Sequence, residues 1–413
     1  MTFGEATAWL FEQLPMYQRQ GAAAYKTDLD GTWAVLEVMG RPDLQLPNVI
    51  HVAGTNGKGS VCQAVHNALR DQGLKVGLFT SPHLFDFRER MRVNGEMPSE
   101  QWVIEFVSTQ RTNFDQLDLQ PSFFEWTFGM AMCWFAASEV DLVVLETGMG
   151  GRLDSTNVFP NPLVTAITNI GLDHVQFLGN DIRTIAKEKA GIIKDGRPVV
   201  VGRMRPEAQS VILGYALKHG AEFHYAPEAL AEPSSGPNWP ENQATAHKIL
   251  EVLSSEPGWR NIRVPNQIQL TKSGHLGRWH WLANSSDDAR ILIDCAHNED
   301  GLRRTVAAIR KLNYATLHIV FGAVSDKELA SIWEQLPSAA QYHFCTANIP
   351  RALSVERLVD SAQKADRSGA SYASVASALE GAKACSEAND LIVVLGSIFV
   401  AAEALSTAES VKG

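Results

Sequence analysis

Short, continuously apolar runs recur along the chain, each closing on Gly, Thr, Asn or Asp: NVIHVAG (48–54), KVGLFT (75–80), DLVVLETG (141–148), LVTAITNIG (163–171) and RPVVVG (197–202). Runs without polar alternation predict strands buried on both faces, as in a parallel sheet. Between them the apolar positions return at helical spacing. Val61, Ala64, Val65, Ala68 and Leu69 fall at i, i+3, i+4, i+7 and i+8, a single stripe facing a core. A second alternating series starts at RILIDCAHN (290–298), continues through a helix carrying Leu302, Val306 and Ile309 on one face, and takes in TLHIVFG (316–322) and LIVVLGS (391–397).

Composition adds limits. At 413 residues the chain exceeds one ordinary core, so two domains are expected. A net charge of -10 argues against non-specific binding to nucleic acid. The apolar stretch LIVVLGSIFVAAEAL (391–405) is too short to span a bilayer, carries Glu403, and reads as a buried strand entering a loop and helix. Five cysteines, widely spread and without a C-x-x-C pair, favour neither a disulfide framework nor a zinc knuckle and fit a reducing cytosol. The start MTFGEATAWLFEQL lacks the basic region and apolar core of a signal peptide.

The stretch HVAGTNGKGSV (51–61) stands between a predicted strand and a predicted helix. A glycine-rich turn at a helix N-terminus points several backbone N–H groups at one place, where the helix dipole also favours an anion. Lys58 adds a cation and Ser60 a hydroxyl; the alternative is a glycine-rich connection with Lys58 solvated. In VVLETGMGGRLDSTN (143–157), Glu146 closes a strand at the sheet edge where ligands of open α/β folds bind. It either holds Mg²⁺, directly or through water, or caps a helix or pairs with Arg152. TNIGLDHVQFLGND (168–181) ends another strand with Asp173 and His174, and a lone histidine is more often packed or solvent-facing than a ligand.

Taken in order, GTNGKGS (54–60), TSPHL (80–84), ERMRVNG (89–95), FFEWT (123–127), ETGMGGRLDSTN (146–157), TNIGLDH (168–174), EKAGIIK (188–194), GR (277–278), DCAHN (294–298), SDKE (325–328) and PRA (350–352) resemble the folylpolyglutamate synthase / dihydrofolate synthase family of the Mur ligase superfamily. The resemblance implies ATP-dependent ligation of L-glutamate to a pteroate or folate carboxylate through an acyl phosphate, with dihydropteroate or a reduced folate as acceptor. It implies that Gly57, Lys58, Gly59 and Ser60 cradle ATP phosphates, with Asn242, Arg278 and Asp294 as further nucleotide contacts. Ser81, Glu146 and His174 match the family's Mg²⁺ positions, and Lys189 matches a lysine carried as a carbamate. Lys58, Lys189, His174 and Glu146 would form the catalytic set. Ser122, Phe123, Phe124, Glu125, Leu153, Asp154 and Ser155 match pterin contacts, although Phe123 and Phe124 equally suit a core. His297 and Lys327 match contacts for glutamate or the acyl phosphate. LPMYQRQGAAAYK (14–26) matches the family less well.

The fold class expected is α/β: a P-loop-containing, mainly parallel sheet domain over 1–284, then a smaller Rossmann-like domain over 285–413. ANSSDDA (283–289) is the linker candidate, with EPSSGPNWPEN (232–242) its rival. A monomeric cytoplasmic enzyme without nucleic-acid or membrane partners is expected. A Mur-type peptidoglycan ligase and a regulatory NTPase are the competing readings; Gly59 weighs against the first and the GR and DCAHN features against the second.

Overall fold

The computed structural model describes residues 1–14, 28–117, 119–226, 236–266, 268, 276–282, 288–325 and 327–410. The chain divides into two compact units, Met1–Ala231 with Trp239–Thr271, and Glu232–Asn238 with Lys272–Gly413.

In the first unit, β1 (Val49–Ala53), β2 (Val76–Phe79), β3 (Met91–Val93), β4 (Leu142–Glu146), β5 (Val164–Ile167), β6 (Val199–Val201) and β7 (Phe223–Tyr225) form one sheet in the order β3-β2-β4-β1-β5-β6-β7. Only β3 runs antiparallel, against β2. β1, β2, β4, β5 and β6 are buried at every position, as expected of mainly apolar runs without polar alternation. Because β1 pairs in parallel with both β4 and β5, and β4 with β2, the loops after Ala53, Phe79, Glu146 and Ile167 open on one edge. The helix Lys58–Arg70 buries Val61, Ala64, Val65, Ala68 and Leu69, the stripe expected from spacing, against the sheet.

The second unit carries β8 (His280–Trp281), β9 (Arg290–Ile293), β10 (Leu317–Phe321), β11 (Gln341–Phe344), β12 (Gly369–Ser371) and β13 (Leu391–Leu395) in the order β12-β11-β10-β13-β9-β8. All pairs are parallel except β8 with β9. β13 leads into the helix Ile398–Ser410, so 391–405 is a strand, loop and helix as its length implied. Among the described residues no helix is long and apolar enough to cross a membrane.

The units part earlier than the expected step at 284. Trp281 already lies opposite Leu292 in the β8–β9 pair, so the chain enters the second sheet before 283–289. Residues 283–287 of that linker candidate, 232–235 of its rival and 15–26 of the N-terminal stretch lie outside the described residues.

A buried polar chain crosses the second sheet: His318 Nε2 meets Asp390 Oδ2 at 3.4 Å, His318 Nδ1 meets His343 Nε2 at 3.3 Å, and His343 Nδ1 meets the Tyr372 hydroxyl at 3.3 Å. Burial, and then the neighbouring His318, push the His343 imidazole down from 6.5 to about 4. Between those values the unfolded chain binds more protons. This contribution is therefore complete above about pH 6.5 and fades as the pH falls to about 4. Urea denaturation at pH 7 and pH 5 should show the second unit weakened in acid, and His343→Asn should flatten that difference; an equal drop in both proteins refutes the assignment.

Candidate active site

The phosphate-loop candidate leaves β1 at Ala53 and turns through Gly54–Gly57 into the helix that starts at Lys58. Gly57 has φ +84°, and a Cβ there would lie 2.2 Å from Asn242 Oδ1, so only glycine fits both the backbone and the neighbour. Asn242 comes from the helix Trp239–Leu253, which thereby stands directly over the turn.

The segment after β5 holds the turn from its other side. Asn169 accepts from Thr55 N through its carbonyl at 2.9 Å and from Asn56 N through Oδ1 at 2.9 Å. Thr168 Oγ1 donates to Asn56 O at 2.7 Å, while Thr55 Oγ1 donates to Gly171 O at 3.1 Å and accepts from Gly171 N at 3.0 Å. With the turn fixed, the first-turn amides of Lys58, Gly59 and Ser60 have no acceptor within their own helix, which makes an anion site. Lys58 Nζ lies back over the turn, donating to Thr55 O at 3.3 Å. Ser60 is buried in the same first turn.

Glu146 ends β4 beside Val52 of β1 and is buried. Its Oε2 accepts from Ser81 N at 3.0 Å and lies 3.2 Å from where a Cβ on Gly59 would stand, so Ser81, Glu146 and the helix start converge. Arg152, the alternative partner for Glu146, instead pairs with Glu188 at 3.0 Å. Lys189, on the helix Ile182–Ala190, reaches the same place and donates to Gly54 O at 2.8 Å. Burial first, then the charge of Lys58, lower its pKa from 10.5 to about 7, against the opposing pull of Asp173 and Asp154.

His174 follows β5 with φ +51° and is half-buried; Asp173 Oδ1 accepts from its backbone N at 2.9 Å. Among the described residues no three His, Cys, Asp or Glu side chains form a metal cluster. The donors available at the edge are a hydroxyl (Ser81), a carboxylate (Glu146) and an imidazole (His174), a set whose oxygens suit a hard divalent cation.

Ser122 and Glu125 form a capping box at the start of the helix Phe123–Ala137: Ser122 N donates to Glu125 Oε2 at 2.7 Å and Glu125 N to Ser122 Oγ at 3.2 Å. Phe123 is buried and stacks on Phe11 with ring centroids 5.6 Å apart, which makes it core. Phe124 is only partly buried and lies against Gly148, where an added Cβ would come within 2.5 Å of its ring. Its ring also meets Phe79 edge-on with centroids 5.7 Å apart, so of the two phenylalanines it is the one that keeps part of its surface uncovered. Leu153 is partly buried; Asp154 and Ser155 are buried, and Ser155 Oγ accepts from Thr32 Oγ1 at 2.9 Å.

In the second unit, Asp294 follows β9 and accepts from Trp279 N at 2.8 Å and Ala296 N at 2.9 Å. Burial raises its pKa, while the exposed Arg278 beside it pulls the other way. His297 Nδ1 meets Cys295 O at 2.9 Å, and the half-buried Lys327 follows β10 on the same edge. Sequence reasoning overlooked Asn169, whose signal was an amide side chain just beyond a strand end, and the pair of buried Arg90 and half-buried His83, joined at 2.9 Å within the ERMRVNG and TSPHL motifs.

The Mur ligase middle domain family matches residues 52–224, and the Mur ligase, glutamate ligase domain family matches residues 277–398. A Bacillus subtilis protein named dihydrofolate synthase/folylpolyglutamate synthase is 31% identical over 96% of this chain and 97% of its own length. An Escherichia coli structure described as FolC in complex with DHPP and ADP superposes with a TM-score of 0.83 at 27% identity, covering 100% of this chain and 99% of that one. A bifunctional folylpolyglutamate synthase/dihydrofolate synthase solved with Mn, AMPPNP and L-glutamate bound gives 0.81 at 25% identity over 99% and 98%. With this phosphate turn, this sheet edge and relatives that span it almost end to end, the chain belongs to the folylpolyglutamate synthase / dihydrofolate synthase family of Mur ligases.

Proposed function

We propose that the protein joins L-glutamate to the carboxylate of dihydropteroate, a reduced folate, or both, at the expense of ATP. The observation that carries this reading is the convergence of Lys58, Glu146, Ser81 and Lys189 on a helix start fixed by Asn169 and Asn242. A carboxylate oxygen attacks the γ-phosphorus, the bond to ADP breaks, and an acyl phosphate forms. The amine of glutamate then attacks the acyl carbon, phosphate leaves with the bonding pair, and the nitrogen loses a proton. No enzyme nucleophile is needed, so the chain's task is to position and to neutralise.

In this reading Gly57, Lys58, Gly59 and Ser60 hold the phosphates, Asn242 contacts the nucleotide from above the turn, and Arg278 and Asp294 are further nucleotide contacts. Ser81, Glu146 and His174 would hold Mg²⁺, which when bound neutralises phosphate charge during transfer. Phe124 suits a flat pterin ring, with Leu153 and Ser155 as further pterin contacts; His297 and Lys327 suit a carboxylate or phosphate. The test is ADP release with glutamate and, separately, dihydropteroate and tetrahydrofolate, with products sized by mass spectrometry. ADP release that ignores both pterins would favour a regulatory NTPase instead.

Lys189 would act as a carbamate, formed when its neutral amine adds CO₂ and releases a proton. An ammonium there repels Mg²⁺, whereas a carbamate presents anionic oxygens. Since its pKa is lowered to about 7, the neutral amine predominates above that pH, without the alkaline conditions an ordinary lysine requires. Activity should therefore fall as the pH drops below about 7 and be partly restored by bicarbonate, with a ¹³C carbamate signal that Lys189→Arg lacks. Bicarbonate-insensitive activity and no such signal would remove the carbamate.

A further inference from the structure

β1 reads Val-Ile-His-Val-Ala, and its middle residue, His51, is 1% exposed. Any branched aliphatic side chain would fill that position without burying a polar ring. His51 Nε2 lies 2.8 Å from Thr156 Oγ1, and Thr156 Oγ1 donates to Asp154 Oδ1 at 2.5 Å. A hydroxyl has one proton, and here it goes to the carboxylate, so the imidazole must be the donor to Thr156. Burial, with a smaller push from Lys194, lowers the His51 pKa to about 3, which keeps the ring neutral. The result is a directed series, His51 to Thr156 to Asp154, of three buried side chains.

Asp154 uses what remains of its carboxylate on backbone. Oδ1 also accepts from Thr156 N at 3.0 Å, and Oδ2 accepts from Met149 N at 2.8 Å. Met149 lies in the glycine-rich turn that follows Glu146 and carries Gly148, against which Phe124 packs. Glu146 itself is fixed by the β1–β4 register and by Thr147 N donating to Val52 O at 3.0 Å. The turn beyond lacks that ladder. Its link to β1, the strand from which the phosphate turn departs, runs through the polar series.

We propose that His51 and Thr156 are positioning residues that act through Asp154 to hold the turn after Glu146, and with it the Phe124 platform, in register with the phosphate loop. This rests on the ligase reading above, in which Phe124 faces the pterin. It also gives Asp154 a role in ordering the turn that requires no contact with substrate. The buried His51 is then neither a metal ligand nor a proton carrier; it orients a hydroxyl.

The test compares Thr156→Val, which keeps shape and loses the hydroxyl, with Thr156→Ser, which keeps it. His51→Phe and His51→Gln make the same contrast, because the glutamine amide can donate where Nε2 does. Turnover is measured per nucleotide-binding site, counted by titration with a fluorescent ATP analogue, together with KM for pterin and for ATP. Thr156→Val and His51→Phe should lose about 10- to 100-fold in kcat/KM for the pterin, the size expected of a displacement near 1 Å, with KM for ATP within about twofold. Thr156→Ser and His51→Gln should recover to within about threefold of wild type by the same scale. The proposal is overturned if Thr156→Val matches wild type, if Thr156→Ser is as poor as Thr156→Val, or if ATP binding falls in step with turnover. Loss of nucleotide sites in both Thr156→Val and His51→Phe would also overturn it, because the role would then be purely structural. Wild-type protein without pterin-dependent ADP release would instead defeat the ligase reading.

Discussion

Lys58→Ala is expected to lower turnover by about two to three orders of magnitude without disturbing the fold, the scale seen when one preorganised charge-stabilising donor is removed. Lys58 opens the helix and, among the described residues, its ammonium donates to the turn's own Thr55 carbonyl, so alanine leaves the apolar stripe of the helix in place. What is lost is a cation beside the place where phosphate charge moves during transfer. A second effect follows from Lys189. The charge of Lys58 helps to hold the Lys189 pKa down to about 7, so its removal should raise that pKa and shift any residual activity to higher pH. Steady-state ADP release across pH 6 to 9, roughly the range that brackets a lysine of lowered pKa, reads both effects. Turnover within tenfold of wild type would remove Lys58 from the mechanism.

Gly57→Ala should raise KM for ATP at least about tenfold. A residue with a Cβ pays roughly 1–2 kcal/mol to hold left-handed backbone, and each 1.4 kcal/mol corresponds to about tenfold in a binding constant. Here the new Cβ would also stand 2.2 Å from Asn242 Oδ1, so the turn or the helix Trp239–Leu253 must shift. Truncating Asn242 separates the two causes. In the double variant Gly57→Ala/Asn242→Ala the overlap is gone while the φ strain persists, so the pair should be less impaired than the sum of the single losses. Strictly additive losses would show that Asn242 does not stand over the turn in solution.

The legible part of the fold was its centre. β1, β2, β4, β5, β6, β9, β10 and β13 all lie within mainly apolar runs without regular polar alternation, because strands covered on both faces admit only an occasional polar residue, such as His51, Thr165 or His318, that must find a partner inside. What escaped was short or partly wet. β7 (Phe-His-Tyr) and β12 (Gly-Ala-Ser) are edge strands with exposed positions, and β11 carries Gln341 and the buried His343, which disguise it. In the site, the phosphate turn and Glu146 could be placed from strand ends and glycine spacing. The neighbour that dictates Gly57 could not, since Asn242 meets it only through tertiary folding. Phe123 and Phe124 show the limit clearly. They are adjacent, identical side chains, and the helix turns one into the core and the other toward Gly148.

The two-residue strand β8 has a practical consequence for anyone who divides this chain. A fragment begun at 285 would discard His280 and Trp281 and leave the backbone donors and acceptors of Arg290–Ile293 along an uncovered margin. That margin carries Ile291, Leu292 and Ile293, and an unpaired strand edge of this kind is a ready template for another copy to add its own strand. Self-association of such a fragment would then report the cut and not the natural behaviour of the protein.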